Sequence, residues 1–290
     1  MAGVQSPAVL PSDRAGHIVN AISVSAICTF GLSLEDDIAF WRRHGITNVG
    51  VSIAKIEREG WSKGVDLVRC AQRDAGLQVG NLIGLGPFHL ADRAQWTTQR
   101  ERLLRSLDAA EGFDAGCIVV TTGPAGPLCW EDAADALYEA MEPVIDEARR
   151  RGIVIALEHT NSLRVDVGFI HTLRDAIDLA RRLELGVCME INACWAERDL
   201  ASTVKNGIDV IELVQVSDFA VGTLSTPNRL VPGDGDIPLD RILTNVIAAG
   251  YAGAFDLELI GPRIDDEGYE IAVPRAIAAL SEMLDEIKPT

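Results

Sequence analysis

Basic residues are scarce in this chain of 290 residues, in which 26 lysines and arginines stand against 43 aspartates and glutamates. The formal net charge at pH 7 is therefore −17. A protein that holds nucleic-acid phosphates needs a basic surface, because its cations displace the counterions condensed on the nucleic acid. The charge balance argues against nucleic acid as a partner and is typical of a soluble protein.

Long apolar stretches are also missing, since no run approaches the ~18 residues that a membrane-spanning helix needs. The first residues show no basic segment followed by an apolar one, as a secretory signal would. Six cysteines show neither CxxC nor Cys/His spacing, and Cys28, Cys117 and Cys188 stand in apolar, strand-like runs. We therefore expect reduced thiols in a cytoplasmic protein that does not bind membranes.

A regular alternation of helix-like and strand-like segments fills most of the chain. At seven places a helix-like segment ends near a glycine and a β-type run follows, as expected where glycine lies just past a helix end. These junctions are "RRHGITNVGVS", "RDAGLQVGNLIG", "DAGCIVVTTG", "RRRGIVIALEHT", "LELGVCMEIN", "NGIDVIELVQVSD" and "AAGYAGAFDLELI". The run "AISVSAICTF" from Ala21 supplies an eighth strand.

Eight strands that alternate with helices predict a parallel α/β fold, a single (β/α)8 TIM barrel. No GxGxxG motif follows the first strand, which disfavours a dinucleotide-binding sheet. We expect residues 19–290 to form the barrel domain. Residues 1–18, "MAGVQSPAVLPSDRAGHI", are expected to form a loosely ordered lead-in.

Oxygen-bearing side chains stand at the ends of four successive predicted strands. Glu158 ends "IALEHT", Glu190 ends "VCMEIN", Gln215 ends "LVQVSD" and Glu258 stands within "FDLELI". A single carboxylate at a strand end more often caps a helix or pairs with an arginine. Four such groups in buried strands favour a shared partner, and an all-oxygen set suits Mg²⁺ or Mn²⁺ better than Zn²⁺.

Two segments resemble the xylose-isomerase-like barrel superfamily, the sugar phosphate isomerase/epimerase family. They are "MEPVIDEARRRGIVIALEH" and "PGDGDIPLDRILTNVIAAGYAGAFDLEL", within a resemblance that covers roughly Ala21 to Leu284. The resemblance implies a metal site formed by Glu158, Glu190, Gln215 and Glu258 that binds one divalent cation, Mn²⁺, Mg²⁺ or Co²⁺. It also implies that Glu158 and Glu258 are the acid/base pair, and that Arg229 contacts substrate or metal-bound oxygens.

The chain departs from the family pattern at three positions. The sixth-strand ligand is usually Asp and is Glu190 here, and the seventh is commonly His and is Gln215 here. Gln occurs there in hydroxypyruvate isomerases and 3-dehydroshikimate dehydratases. Sugar epimerases usually have a His shortly after the sixth-strand ligand, where "EINACW" has Ala193. These differences argue against a free ketose as substrate.

The predicted mouth of the barrel is rich in apolar side chains and poor in cations. Phosphate binding would need arginine, lysine or a glycine-rich helix start. The apolar set predicts a non-phosphorylated small molecule, such as a cyclic polyol ketone, a hydroaromatic acid or a keto-glycoside, although the aromatic side chains could equally plug the barrel. The aromatic side chains are those of Phe30, Phe88, Trp195 and Phe219, and the cation candidates are Lys55, Arg164 and Arg229.

Three further residues are candidates for contact with the substrate. His89, after the third strand, suits substrate binding or proton transfer, or is a satisfied loop histidine. Lys55, read as the end of the second strand, suits an anionic group, or is an ordinary surface lysine. Trp195 suits the apolar part of a substrate. His159, next to Glu158, is expected to point away from the site, because successive strand residues face opposite sides.

The sequence leaves four classes of function open. The leading one is a metal-dependent isomerase or epimerase that removes a proton next to a carbonyl, and the second is a dehydratase or lyase on a cyclic keto-substrate. Apurinic-site endonucleases share this barrel with a histidine-rich zinc site, but five scattered histidines and the charge of −17 argue against that activity. A non-catalytic barrel is the fourth, and a homo-oligomer is compatible with each.

Overall fold

Eight parallel strands close into a barrel in the computed structural model, which describes residues 20–287 except 87. The hydrogen-bonded order around the barrel follows the chain from β1 to β8, and β8 pairs with β1. The strands are β1 (Ile22–Ser25), β2 (Asn48–Ser52), β3 (Gln78–Leu85), β4 (Cys117–Thr121), β5 (Val154–Glu158), β6 (Gly186–Glu190), β7 (Ile211–Val216) and β8 (Phe255–Leu257).

Helices connect the strands and cover the outside of the barrel. They are α1 (Leu34–Arg43), α2 (Ile53–Glu59), α3 (Trp61–Ala75), α4 (Trp96–Phe113), α5 (Trp130–Arg151), α6 (Leu173–Leu183), α7 (Ile191–Cys194), α8 (Leu200–Gly207), α9 (Leu239–Ala248), α10 (Pro262–Glu267) and α11 (Tyr269–Ile287). The predicted (β/α)8 fold is confirmed. The lead-in predicted for residues 1–18 lies outside the described residues.

Two of the predicted glycine helix ends are wrong in detail. The left-handed residues that end α4 and α6 are Asp114 and Glu184, and the glycines lie two residues further on. A Cβ at Gly116 would lie 2.5 Å from the carbonyl oxygen of Gly80, and one at Gly186 would clash with the side chain of Glu212. Glycine is needed there because neighbouring groups approach the backbone closely.

Alternation along the strands separates two apolar layers. Side chains that face outward pack against the helices in one continuous core, as Val24 and Leu157 do. A smaller cluster fills the barrel interior and contains Ile83, Cys117, Val119, Ala156, Cys188 and Leu213. The interior is therefore packed in its middle, and the polar inward residues at the carboxyl ends of the strands lie at one mouth.

The first two strands end earlier than the sequence suggested. Ser25 accepts the backbone N–H of Ile27 at 3.2 Å and begins a 3₁₀ turn over Ala26–Thr29, so Cys28 is not in a strand. The hydroxyl of Ser52 accepts the N–H of Lys55 at 3.4 Å and starts α2 directly after β2. Lys55 therefore lies in the first turn of a helix, and its prediction as a strand-end residue was wrong.

A buried ion pair between Lys55 and Asp37 connects the segments that follow β1 and β2. The ammonium of Lys55 donates to both carboxylate oxygens of Asp37, at 2.8 and 2.7 Å, and to the carbonyl of Thr29 at 2.8 Å. The hydroxyl of Thr29 donates to the same carboxylate at 2.6 Å. The side chains of Lys55 and Asp37 are 4% and 0% exposed. The pair thus ties α1 and α2 to the turn that follows β1.

Replacing Lys55 with methionine should lower the free energy of unfolding by about 3–5 kcal/mol, because the carboxylate of Asp37 would remain buried without its cation. Urea unfolding followed by circular dichroism measures the change. Lys63→Met is the matched control: that ammonium also pairs with carboxylates but is 56% exposed, so the expected loss is below about 1 kcal/mol. Equal effects of the two substitutions would contradict a structural role for the buried pair.

Candidate metal centre at the barrel mouth

Three glutamates converge where the strands end. Glu158 and Glu190 are the last residues of β5 and β6, and Glu258 directly follows β8. One carboxylate oxygen from each of the three lies within 4.8 Å of the others. Glu190 and Glu258 are only 2% and 7% exposed. We refer to these three side chains as the carboxylate cluster.

Gln215 extends the cluster along the sheet. It is paired in register with Glu190 on one side and with Asp256 on the other. The side chain is fully buried, and neither atom of its amide has a hydrogen-bond partner in the described part of the chain. A buried amide without a partner is costly. Three carboxylates and a free amide oxygen form a donor set that fits a hard divalent cation.

A guanidinium lies against two of the carboxylates. The Nη1 atom of Arg229 is 2.7 Å from Oε2 of Glu190 and 3.2 Å from Oε2 of Glu258. The same nitrogen donates to the carbonyl oxygen of Glu258 at 3.0 Å. The backbone N–H of Arg229 donates to the carbonyl of Ile260 at 3.0 Å, which holds its segment beside the end of β8.

The glycine loop "PGDGD" (residues 232–236) is wrapped around one buried carboxylate. Asp218 accepts the backbone N–H groups of Phe219, Gly233, Gly235 and Ile237 at 2.8 to 3.0 Å. A Cβ at Gly235 would collide with this carboxylate. Asp218 also pairs with Leu230 through two backbone hydrogen bonds of 2.9 Å. The loop thereby fixes the position from which Arg229 reaches the cluster.

Burial and mutual repulsion shape the protonation of the cluster. Burial, followed by the charges of Glu258 and Glu190, raises the pKa of Glu158 well above its ordinary value. Burial raises the pKa of Glu190 to about 7, although Arg229 opposes the rise. Burial disfavours the charged form of Arg229, but the surrounding carboxylates outweigh it and raise the pKa of that guanidinium. Glu158 and Glu190 therefore bind protons more readily than exposed glutamates do.

His159 supports the backbone of the site and does not point its ring at the carboxylates as a ligand would. Its Nε2 accepts the backbone N–H of Glu190 at 3.2 Å. The side chain is fully buried, and burial lowers the pKa of the imidazole to about 3, so the ring is neutral at physiological pH. The orientation away from the site agrees with the alternation of residues along β5.

Two residues near Glu258 belong to the site: Cys28, which the sequence places only among the apolar residues of the mouth, and Asp256, which has no role in the sequence-based prediction. Cys28 donates from Sγ to the carbonyl of Leu257 at 3.1 Å and accepts the N–H of Leu259 at 3.2 Å, so it brackets Glu258. Asp256 is fully buried, and burial raises its pKa to about 7 while the facing Ser23 and Asn81 oppose the rise. Its position two residues before Glu258 places it on the same face of β8 and is the signal that identifies it.

The other residues predicted to contact a substrate have no contact with the carboxylate cluster among those described above. The charge of Lys55 is used by Asp37, so the structure gives no support to its predicted contact with an anionic substrate. His89 is exposed in the loop after β3. Trp195 follows α7 and is partly buried against the core, and Phe30, at the turn after β1, is 61% exposed. Phe88 is buried, in agreement with the view that some mouth aromatics only fill space.

The chain belongs to the xylose isomerase-like TIM barrel family, whose model matches residues 38–286. A protein named inosose isomerase from Halalkalibacterium halodurans is 26% identical over 144 residues, which is 48% of this chain and 50% of that protein. The chain spans about half the length of the curated relatives that it matches.

Solved structures share the fold over nearly the whole chain. The protein SMc04130 from Sinorhizobium meliloti 1021 superimposes with a TM-score of 0.78 at 22% identity, over 93% of this chain and 99% of that one. A crystal structure of the IolI protein with a zinc atom gives a TM-score of 0.78 at 15% identity, over 93% of this chain and 100% of that one. Within the described part of the chain, no helix is both long and apolar enough to cross a membrane.

The affinity for a divalent ion should fall as the pH is lowered through about 7. The pKa of Glu190 in the metal-free protein is about 7, so below that pH an ion must displace a proton from this ligand. Displacement of the proton on Glu190 costs about tenfold in affinity per pH unit, and a proton on Glu158, whose pKa is also raised, makes the dependence steeper. Titration calorimetry with Mn²⁺ between pH 8 and pH 5.5 measures the slope. A dissociation constant that stays flat across this range would show that Glu190 is not a ligand that must lose a proton.

Proposed function

We propose that this protein is a divalent-metal-dependent isomerase or epimerase that removes a proton next to the carbonyl of a cyclic polyol ketone or a related sugar-like substrate. The observation that carries the proposal is the carboxylate cluster, joined by the unpartnered amide of Gln215 at the mouth of the barrel. Active sites of TIM barrels lie at the carboxyl ends of the strands. The carboxylate cluster and Gln215 are the group of side chains at that end, within the described residues, that could carry out this chemistry.

Glu158, Glu190, Gln215 and Glu258 are the residues that would hold the ion. When bound, a divalent ion polarises the carbonyl and the adjacent hydroxyl of a substrate and so acidifies the C–H bond next to the carbonyl. The sequence favours Mn²⁺, Mg²⁺ or Co²⁺. The zinc atom in the IolI crystal structure adds Zn²⁺ to the ions to be tested.

Glu158 and Glu258 are the proposed acid/base pair. They stand at the ends of β5 and β8, separated by two strands, so their carboxylates approach a substrate from different directions. One carboxylate removes the proton from carbon. Return of a proton to the former carbonyl carbon, with transfer of the hydroxyl proton to the other oxygen, gives isomerisation. Donation of a proton from the second carboxyl group to the opposite face of the same carbon gives epimerisation. Positioned proton transfer of this kind contributes about 10²–10⁴-fold to the rate.

The charges at the mouth support a substrate without phosphate. Each cation that the sequence offered for a phosphate has a carboxylate partner in the structure. Lys55 pairs with Asp37, Arg164 pairs with Asp166 at 3.0 Å, and Arg229 lies between Glu190 and Glu258. A phosphorylated substrate would have to compete with these carboxylates for each of the three cations. A neutral polyol ketone would not. The name inosose isomerase, given to a relative that matches about half of this chain, supports the same substrate class.

A dehydratase acting on a cyclic keto-substrate is the second candidate. Gln215 favours it, because the resemblance associates glutamine at this strand end with dehydratases as well as isomerases. The first step is the same proton removal, but a hydroxyl then leaves from the neighbouring carbon as water. The exposed ring of Phe30 near the mouth would suit a substrate with an apolar part.

Proton exchange at carbon separates these reactions in one experiment. The Mn²⁺-loaded protein is incubated in D₂O with an inosose, and proton NMR follows deuterium entry next to the carbonyl and the appearance of an isomer. Ultraviolet absorbance records any conjugated enone, which elimination creates and isomerisation does not. We expect exchange with a new isomer and no rise in absorbance, whereas a rise in absorbance would favour the dehydratase.

Substitution of either proposed acid/base residue should remove this exchange. Glu158→Gln and Glu258→Gln are expected to lower the rate by about 10²–10⁴-fold, because the amide cannot accept the proton. Glu131→Gln is the matched control, since that glutamate is exposed at the start of α5. No exchange with any inosose or keto-glycoside, with the ion shown to be bound, would contradict the proposed reaction.

A further inference from the structure

We propose that Arg229 is an internal counter-cation that neutralises the carboxylate cluster when no divalent ion is bound and competes with the ion for it. The inference rests on the proposed metal site and adds a residue that sets its affinity. Arg229 thereby has two roles. In the metal-free protein it stabilises the folded barrel mouth, and when an ion binds it makes the affinity lower than it would be for the three carboxylates alone.

The position of the guanidinium carries the argument. The Nη1 atom lies 2.7 Å from one oxygen of Glu190 and 3.2 Å from one oxygen of Glu258. These two oxygens are buried and have no hydrogen-bond partner with standard geometry among the described residues. Arg229 is therefore their close positive neighbour, and its own side chain is only 13% exposed.

An ion and the guanidinium cannot use these oxygens in the same arrangement. Carboxylate oxygens lie about 2.0–2.6 Å from Mg²⁺ or Ca²⁺, closer than the nitrogen of an ion pair. An ion held by Glu190 and Glu258 would therefore take the space next to Nη1, and two cations at that separation repel each other strongly in a buried site. The guanidinium must move away from the oxygens as the ion enters.

A second anchor allows Arg229 to move without leaving the mouth. The same Nη1 donates to the backbone carbonyl of Glu258 at 3.0 Å, an acceptor that a side-chain metal ligand does not use. The glycine loop holds the backbone on the other side, because the N–H groups of Gly233 and Gly235 donate to the carboxylate of Asp218. These contacts would keep Arg229 at the barrel mouth if its guanidinium left the carboxylate oxygens.

The charges of the site agree with this exchange. The three carboxylates of the cluster and the guanidinium of Arg229 carry a formal charge of −2, to which the neighbouring Asp256 adds when it is ionised, so the cluster with Arg229 still attracts a divalent ion. Without Arg229 the charge is −3, so the metal-free cluster repels itself more and the ion is attracted more strongly. If Arg229 only oriented Glu190 and Glu258 for the ion, its loss would weaken ion binding. The counter-cation role predicts that its loss strengthens ion binding.

Arg229→Met should therefore bind the ion more tightly than the parent protein. Couplings between two ligands of one protein are typically 5- to 150-fold, and we expect Mn²⁺ or Zn²⁺ to bind at least about tenfold more tightly. The melting temperature in chelator should fall, and the rise on adding the ion should be larger than in the parent. Titration calorimetry and thermal unfolding measure both, without reference to catalysis.

Two further variants keep the test decisive. Arg263→Met removes one positive charge from an exposed position in α10 and should leave both the ion affinity and the melting temperature unchanged. Arg229→Lys keeps a shorter cation and should fall between the parent and Arg229→Met. If Arg229→Met is recovered only with the ion present, the lysine variant alone supplies the comparison.

The outcomes separate this inference from the proposed function. If the parent binds a divalent ion and Arg229→Met and Arg229→Lys bind it equally or more weakly, the counter-cation role is overturned and the metal site stands. If the parent binds no divalent ion at all, the proposed metal-dependent function and this inference both fail. Tighter binding in both variants, with the control unchanged, supports the counter-cation.

Discussion

Electrostatic repulsion among three carboxylates that converge at the barrel mouth is the constraint on which the rest of this site depends. Glu158, Glu190 and Glu258 place oxygens within 4.8 Å of one another, and Glu190 and Glu258 are only 2% and 7% exposed, so water screens these charges weakly. A buried charge without a partner costs several kcal/mol, so such a cluster persists only with protons or cations to balance it. Burial first, and then the neighbouring carboxylates, raise the pKa values of Glu158 and Glu190, and the guanidinium of Arg229, which lies against Glu190 and Glu258, opposes the rise.

Much of the surrounding structure serves to hold the responding groups in place. Asp218 gathers the N–H groups of the glycine loop, and that loop delivers Arg229. Cys28 bonds to the backbone on both sides of Glu258, and His159 accepts the N–H of Glu190. These contacts come from the turn after β1, the end of β5 and the segment after β7, so separate parts of the chain position one cluster.

The sequence predicts the barrel and the strand-end glutamates well, because both follow from local periodicity. A strand's last inward residue can be read from alternation, and eight helix–strand units leave few architectures. Partners that meet across distant elements cannot be read this way. The sequence makes Lys55 a candidate for an anionic substrate, but Ser52 starts a helix from which the ammonium of Lys55 pairs with Asp37. Arg229 contacts Glu190, which lies 39 positions earlier in the chain. The spacing of Asp256 from Glu258 indicates that both face the same side of β8. That spacing places Asp256 in the site only once β8 is known to be buried between β7 and β1.

Metal content of the purified protein tests the central claim most directly. The protein is dialysed against Mn²⁺, Mg²⁺, Co²⁺ or Zn²⁺ in turn and then freed of unbound ion, and elemental analysis gives the ratio of metal to chain. The account predicts about one equivalent of a divalent ion, lost in a folded Glu190→Ala variant. A parent protein that retains none of these ions would contradict the account. The carboxylate cluster would then be a structural feature balanced by Arg229 and protons, and a non-catalytic barrel would be the better description.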